Sequence, residues 1–318
     1  GPLLPKRMTL SDNFFHDAVA LSGLFSHTAR SQINITYSNF PSVLDINSLY
    51  APRTKLRISN CSFRDSLMVD GSEIKSLLFN SKLDESEESK TIPHLYLNNL
   101  KIGESFHLEH KIISNPTNMK SVTFGTAPSF YNTKLHQDTV FPKAENFPDR
   151  TSDFSAPRYR ALRLEMENLR NRQTEGMFFA LEQESLLNTH HDDNWFLQQC
   201  SRIYGAVTGY GQKPNRTAKY LGGLLLSFWA FYLAMISDWC DLINNDSCSF
   251  EPLRIGHSLA FTIRQLVSPF SAWRNVKPVD QYIDYPVLLQ VIASFQSTLC
   301  LGLLALLLLA LRWQFKRG

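Results

Sequence analysis

The sequence predicts a β-solenoid followed by an α-helical linker and a two-helix transmembrane hairpin. Three observations predict it. Large apolar residues in the first 150 positions recur at steps of five. After Pro157 the spacing changes to that of amphipathic helices. Near the C-terminus, Tyr220–Ile236 and Val287–Leu311 run without a charge.

The five-residue step is clearest in ISNCSFRDSLM, where Ile58, Phe63 and Met68 are five apart and Cys61, Ser66 and Gly71 continue a small-residue series. Phe15, Ala20 and Phe25 repeat it, with Asn13, Ala18 and Gly23 two positions before them. It returns at Leu97 and Ile102, preceded by Leu95 and Leu100, and again at Phe130, Leu135 and Val140. This period matches neither a helix at 3.6 nor a strand at 2.0. It suits a chain that turns a corner every five residues, so that about four steps close a coil and coils stack. Residues 8–150 are assigned to this solenoid. The spacings resemble the pentapeptide-repeat family, which implies a right-handed quadrilateral β-helix. The charged insertion SKLDESEESK, Ser81–Lys90, reads as a solvated loop.

Residues 156–212 form the helical cap and linker. Leu162, Met166 and Leu169 recur at helical spacing, as do Phe178, Leu181 and Leu186, with a break near Asn171–Gln173. These two helices are expected to cover the open end of the solenoid, whose last edge would otherwise pair with other chains. A further amphipathic helix, Trp195–Val207, is expected at the membrane interface. VTGYG, Val207–Gly211, rearranges the letters of a potassium-filter loop but precedes both apolar stretches, where no filter can sit. Gly209 or Gly211 in the left-handed conformation ends that helix, Pro214 opens the next, and the pair is a candidate hinge.

Residues 213–318 form the membrane domain, with spans at about 220–237 and 287–311. Lys213, Arg216 and Lys219 precede the first, and Arg312, Lys316 and Arg317 follow the second. Both termini are therefore expected in the cytoplasm. The loop 238–286 then faces the other side, where Cys240 and Cys248 can pair if the compartment is oxidising. Within it, 255–268 reads as an interfacial helix, with a re-entrant half-helix as the alternative. Gln290, Ser294 and Ser297 share one face of the second span and either line a pore or hold a neighbouring helix. Gly223, Ser227, Ala230 and Ala234 give the first span a small-residue face suited to close helix contact.

The order of parts, from repeats through YRALRLEMENLRNRQTEGMFFALE and GYGQKPNR to SLAFTIRQLVSPF and LRWQFKR, resembles bacterial pentapeptide-repeat-containing membrane proteins with an ion-channel-like two-span C-terminus. The resemblance implies a multi-pass protein of the bacterial inner membrane. No GxSxG, P-loop or dinucleotide motif is present, and adjacent His190, His191, Asp192 and Asp193 do not converge on one metal. No enzyme, cofactor or metal site is expected. A net charge of +3, with 16 basic and 15 acidic residues in the first 150, argues against nucleic acid and against an acidic DNA mimic. The expectation is a membrane-anchored solenoid that binds an unknown protein partner or scaffolds assembly at the cytoplasmic face. The alternative is an ion channel gated by the solenoid. The expected partners are the lipid bilayer and further copies of the chain, as a homo-oligomer.

Overall fold

Wherever a strand between Arg7 and Phe124 finds a neighbour, the neighbour runs parallel and lies roughly one coil away in sequence. The computed structural model describes residues 5–24, 30–80, 90–189, 195–236, 252–267 and 286–315. The chain divides into two units, Gly1–Gln198 and Gln199–Gly318. The first unit is a β-solenoid of about five turns, followed by helices.

Each turn contributes to up to four ladders. The longest contains β1 (Arg7–Ser11), β3 (Gln32–Thr36), β6 (Tyr50–Ser59) and β9 (Glu73–Asn80), extended by β13 (Phe106–Leu108). β4 (Asn39–Phe40) pairs with β7 (Ser62–Phe63), and β10 (Thr91–Ile92) with β14 (Ile112–Ile113). β2 (Val19–Ser22), β5 (Leu44–Asn47), β8 (Ser66–Asp70) and β11 (His94–Asn98) form a third stack. The start of β6 joins β9, β12 (Lys101–Ile102) and β15 (Thr123–Phe124) in a fourth.

The coil is longer than four five-residue steps. Arg7 faces Gln32, Gln32 faces Lys55, and Lys101 faces Thr123, offsets of 25, 23 and 22 residues. The offset grows to 28 between Glu73 and Lys101, across residues 81–89, which lie outside the described residues. Left-handed residues mark the corners. Asp12, Tyr37, Asn60, His110 and Asn132 have positive φ at one set of corners, and Gly23, Ser48, Gly71 and Asn99 at another. Six of these nine are Asp, Asn or Gly, the residues that reach this conformation at least cost. Backbone bonds tie one turn to the next there: Tyr37 N donates to Ser59 O at 3.1 Å, and Ser48 N to Asp70 O at 3.0 Å.

The five-residue phase therefore holds at some corners and slips at others. Ile58, Phe63, Leu97, Ile102, Phe130 and Leu135 are buried as expected. Met68, Ala20 and Val140 are not in the core; their neighbours Leu67, Val69 and Phe141 are, and Val19 and Leu21 pack against it. Strands of four or five residues place two alternate side chains inside, as Leu67 and Val69 do, and this shifts the frame. Phe15, Phe40 and Phe63 stack in a column with centroids 5.0 and 5.4 Å apart. Each fully buried Phe or Leu contributes about 1.5–3 kcal/mol. Gly125 permits a close approach between turns: a Cβ there would overlap the Gly103 carbonyl.

Two helices close the last turn, α1 (Ser155–Asn168) and α2 (Arg172–Thr189). Phe178 of α2 meets Phe141 and Phe147 edge-on, at 5.1 and 5.5 Å, and Phe147 meets Tyr159 of α1. The solenoid core thus continues into Tyr159, Leu162, Met166, Phe178 and Leu181. The break falls at Arg170, φ 57°, where Asn171 N donates to Met166 O and Arg170 N to Glu167 O. That pair of bonds is the Schellman stop, and Asn171 Oδ1 then caps α2 by accepting from Thr174 N at 3.2 Å. Buried Glu182 bridges the helices, accepting from Arg160 Nε at 2.7 Å and Arg163 Nε at 2.8 Å. Asp149 fastens the solenoid to α1, with Oδ2 accepting from Ala127 N at 3.0 Å and Ser152 Oγ at 2.6 Å.

Candidate functional site

Helix α3 (Trp195–Thr208) carries the division between the units and leaves Trp195, Phe196 and Ile203 exposed. It ends in three successive left-handed residues, Gly209, Tyr210 and Gly211. The two glycines of the candidate hinge lie in a hydrogen-bonded turn. Thr208 Oγ1 accepts from Gly211 N at 3.0 Å, and Lys213 N donates to Thr208 O at 3.0 Å. Tyr210 is buried over Gly205, where an added Cβ would lie 2.7 Å from the Tyr210 ring. Gly205 escaped the sequence reading because its need for a bare Cα comes from a ring five residues away.

Three helices of the second unit pack pairwise: α4 (Pro214–Ile236), α5 (Pro252–Val267) and α6 (Pro286–Phe315). Pro stands at the first position of each, where its missing N–H removes nothing from the helix. Among the described residues one helical stretch, Gln290–Arg312, is long and apolar enough to cross a membrane. Of the two expected spans, this one passes by length and composition, and the other is not confirmed. Arg216 and Lys219 occupy the first turns of α4 and leave Tyr220–Ile236 free of charge, a stretch at the lower end of the ~17–25 residues a span uses. The expected separate helix at 255–268 is α5, and it packs against both others.

Polar side chains meet at the junction of the three helices. Tyr232 Oη donates to Gln296 Oε1 at 2.8 Å, and Gln296 Nε2 donates to Thr262 O at 3.3 Å. Ser297 Oγ lies 2.9 Å from both Gln265 Oε1 and Ala293 O. Trp229 Nε1 donates to Ser258 Oγ at 3.1 Å, and Phe261 meets the Tyr232 ring edge-on at 5.0 Å. Tyr232, Ser258, Thr262, Gln265, Gln296 and Ser297 are all buried. Many outward residues are large and apolar: Leu226, Leu259, Ile263, Val291, Phe295, Leu301 and Leu308 are exposed, beside Ser227, Arg264 and Thr298.

The predicted stripe on the last helix divides. Ser297 is buried in this junction, whereas Gln290 and Ser294 are half-buried and Ser294 Oγ bonds back to Gln290 O at 2.8 Å. Gln296, the residue that touches both neighbouring helices, was missed because it lies beside the stripe rather than in it. Ser258, Thr262 and Gln265 were missed as well, although their spacing repeats that of Gln290, Ser294 and Ser297. Of the small-residue face on α4, Gly223, Ser227 and Ala230 are exposed and Ala234 is half-buried. Cys240, Cys248 and His190–Asp193 lie outside the described residues.

No known family, curated protein or solved structure matches the chain.

Proposed function

We propose that the protein is a membrane-anchored β-solenoid, whose C-terminal unit sits in the bilayer while the solenoid receives a protein partner at the cytoplasmic face. The arrangement of α4, α5 and α6 carries this reading. Six polar side chains are buried where they meet, while many leucines, isoleucines and phenylalanines face outward, a distribution that suits lipid better than water. Lipid covers leucines at no cost, and buried Gln, Ser and Tyr supply the contacts that apolar surfaces cannot provide there. In this reading α4 enters the membrane beside α6, with Lys213, Arg216, Lys219 and Arg312 at the cytoplasmic boundary. The coil is a right-handed, four-sided variant of the pentapeptide-repeat β-helix with lengthened steps. Exposed Phe14, Tyr37 and Tyr131 on the solenoid offer the aromatic area that protein interfaces favour.

An anchor fits better than a pore, since Ser297 and Gln296 already bond within the chain. Flotation of the purified chain with phosphatidylcholine liposomes tests the reading. Recovery with lipid after an alkaline carbonate wash supports it. Recovery in the aqueous fraction without detergent overturns it.

A further inference from the structure

The outer face of the longest ladder carries a charge pattern that anchoring leaves unused. Side chains alternate along a strand, so the positions between buried Ile33 and Ile35, and between Leu56 and Ile58, point outward. Arg7, Gln32 and Lys55 stand in one row, and Thr9, Asn34, Arg57 and Leu78 in the next. The third row is Ser11, Thr36, Ser59 and Asn80. From β1 to β9 these rows contain three cations and no carboxylate; the far end of the ladder, at β13, carries His107 paired with Glu109 at 2.9 Å. Arg7, Lys55 and Arg57 are exposed, and none forms an ion pair among the described residues. They line a shallow groove of about 390 Å³ whose other walls are mostly hydroxyls and amides.

The ladder of β2, β5, β8 and β11 has the opposite sign. Its outward positions include Asp45 and Asp70 and no Lys or Arg. The near balance of charge in the first 150 residues therefore conceals a separation between two faces. Neighbouring strands lie about 4.8 Å apart, which puts Arg7 and Lys55 roughly 10 Å from each other. Cations held at this spacing without counter-ions suit a flat array of phosphates. Each one near an anionic leaflet adds to binding within a Debye length. A bilayer entered by α6 would hold the solenoid at high effective concentration beside such an array.

We propose that this face docks on the phosphate headgroups of anionic lipids. The inference rests on the membrane reading above. The test uses the full chain in liposomes of phosphatidylcholine alone or with 30 mol% phosphatidylglycerol. An amine-acylating reagent is applied, and labelling of Lys55 is read by mass spectrometry, with exposed Lys134 as the internal control. Lys55 labelling is expected to fall about fivefold or more in the anionic liposomes, to recover in 0.5 M KCl, and to stay high in the variant R7Q/R57Q. Lys134 labelling should not change. Equal Lys55 labelling in both liposomes overturns the proposal while leaving the anchor intact. Protection in phosphatidylcholine produced by millimolar inorganic phosphate overturns it in favour of a soluble anion. Failure of the chain to float with either liposome overturns the anchor itself.

Discussion

Replacing Gln296 by Leu removes a side chain that bonds to two neighbouring helices while keeping a similar volume. The Tyr232 hydroxyl loses its acceptor and the Thr262 carbonyl loses a donor. Cross-helix hydrogen bonds inside membranes average about 0.6 kcal/mol and reach about 1.7. A buried donor left without a partner costs about 1–3 kcal/mol. The two losses together predict a destabilisation of about 1.5–3 kcal/mol. Tyr232→Phe alone removes the first bond and leaves buried Gln296 Oε1 without a donor, and should cost about 1–2 kcal/mol. Adding Tyr232→Phe to Gln296→Leu removes the orphaned hydroxyl and should recover about 1 kcal/mol, a coupling that a double-mutant cycle isolates. The assay is equilibrium unfolding in mixed micelles with rising dodecyl sulfate, followed by circular dichroism. Ser294→Ala, which loses only a bond to its own helix, should stay within about 0.5 kcal/mol of wild type. A Gln296→Leu chain as stable as wild type, or effects that simply add, would refute the claim that this junction holds the three helices together.

Within the solenoid, Leu67→Ala should cost about 2–5 kcal/mol by thermal unfolding, and Met68→Ala less than about 1, because Leu67 rather than Met68 fills the core. Gly71→Ala, at φ 54° with only ordinary contacts around the new Cβ, should lose about 1 kcal/mol, while Gly125→Ala should fail to fold because of the Gly103 carbonyl. Burial opposes ionisation of Asp149, but hydrogen bonds from Ser152, Ala127 and Thr151 outweigh it and hold its pKa below the usual aspartate value. A lowered folded pKa contributes stability above the unfolded value of about 3.9, and that stability is lost as pH falls through the folded pKa. An acid titration of Asp149→Asn, followed by circular dichroism, should show a shallower loss of stability over that window than wild type.

The sequence made the solenoid legible through recurrence, not through any single motif. Ile58 to Phe63 and Leu97 to Ile102 span one corner each, and there the five-residue step is real. Across a whole strand the step fails, because two alternate residues such as Leu44 and Ile46 both point inward. The coil length was instead marked by Asp12, Asn60, Gly71 and Asn99, residues that resemble ordinary loop punctuation until their positive φ values are known. The capping helices were legible because Leu162, Met166, Phe178 and Leu181 keep a clean helical period. The polar junction was not. Ser258, Thr262 and Gln265 alternate with Leu259, Phe261 and Ile263, and a reader seeking an apolar face assigns those to the inside. Here the assignment inverts, and only Phe261 of those three is buried.

The two sets of left-handed corners make the length of this solenoid come in whole units. From Tyr37 to Asn60, or from His110 to Asn132, the chain completes one lap and returns to the same backbone conformation one storey higher. Removing or duplicating such a segment keeps the ladders in register across the cut, whereas removing five residues shifts the register there. Change in this molecule is therefore accommodated in storeys of about 22 or 23 residues, or as excursions between strands such as the one that lengthens the lap from Glu73 to Lys101.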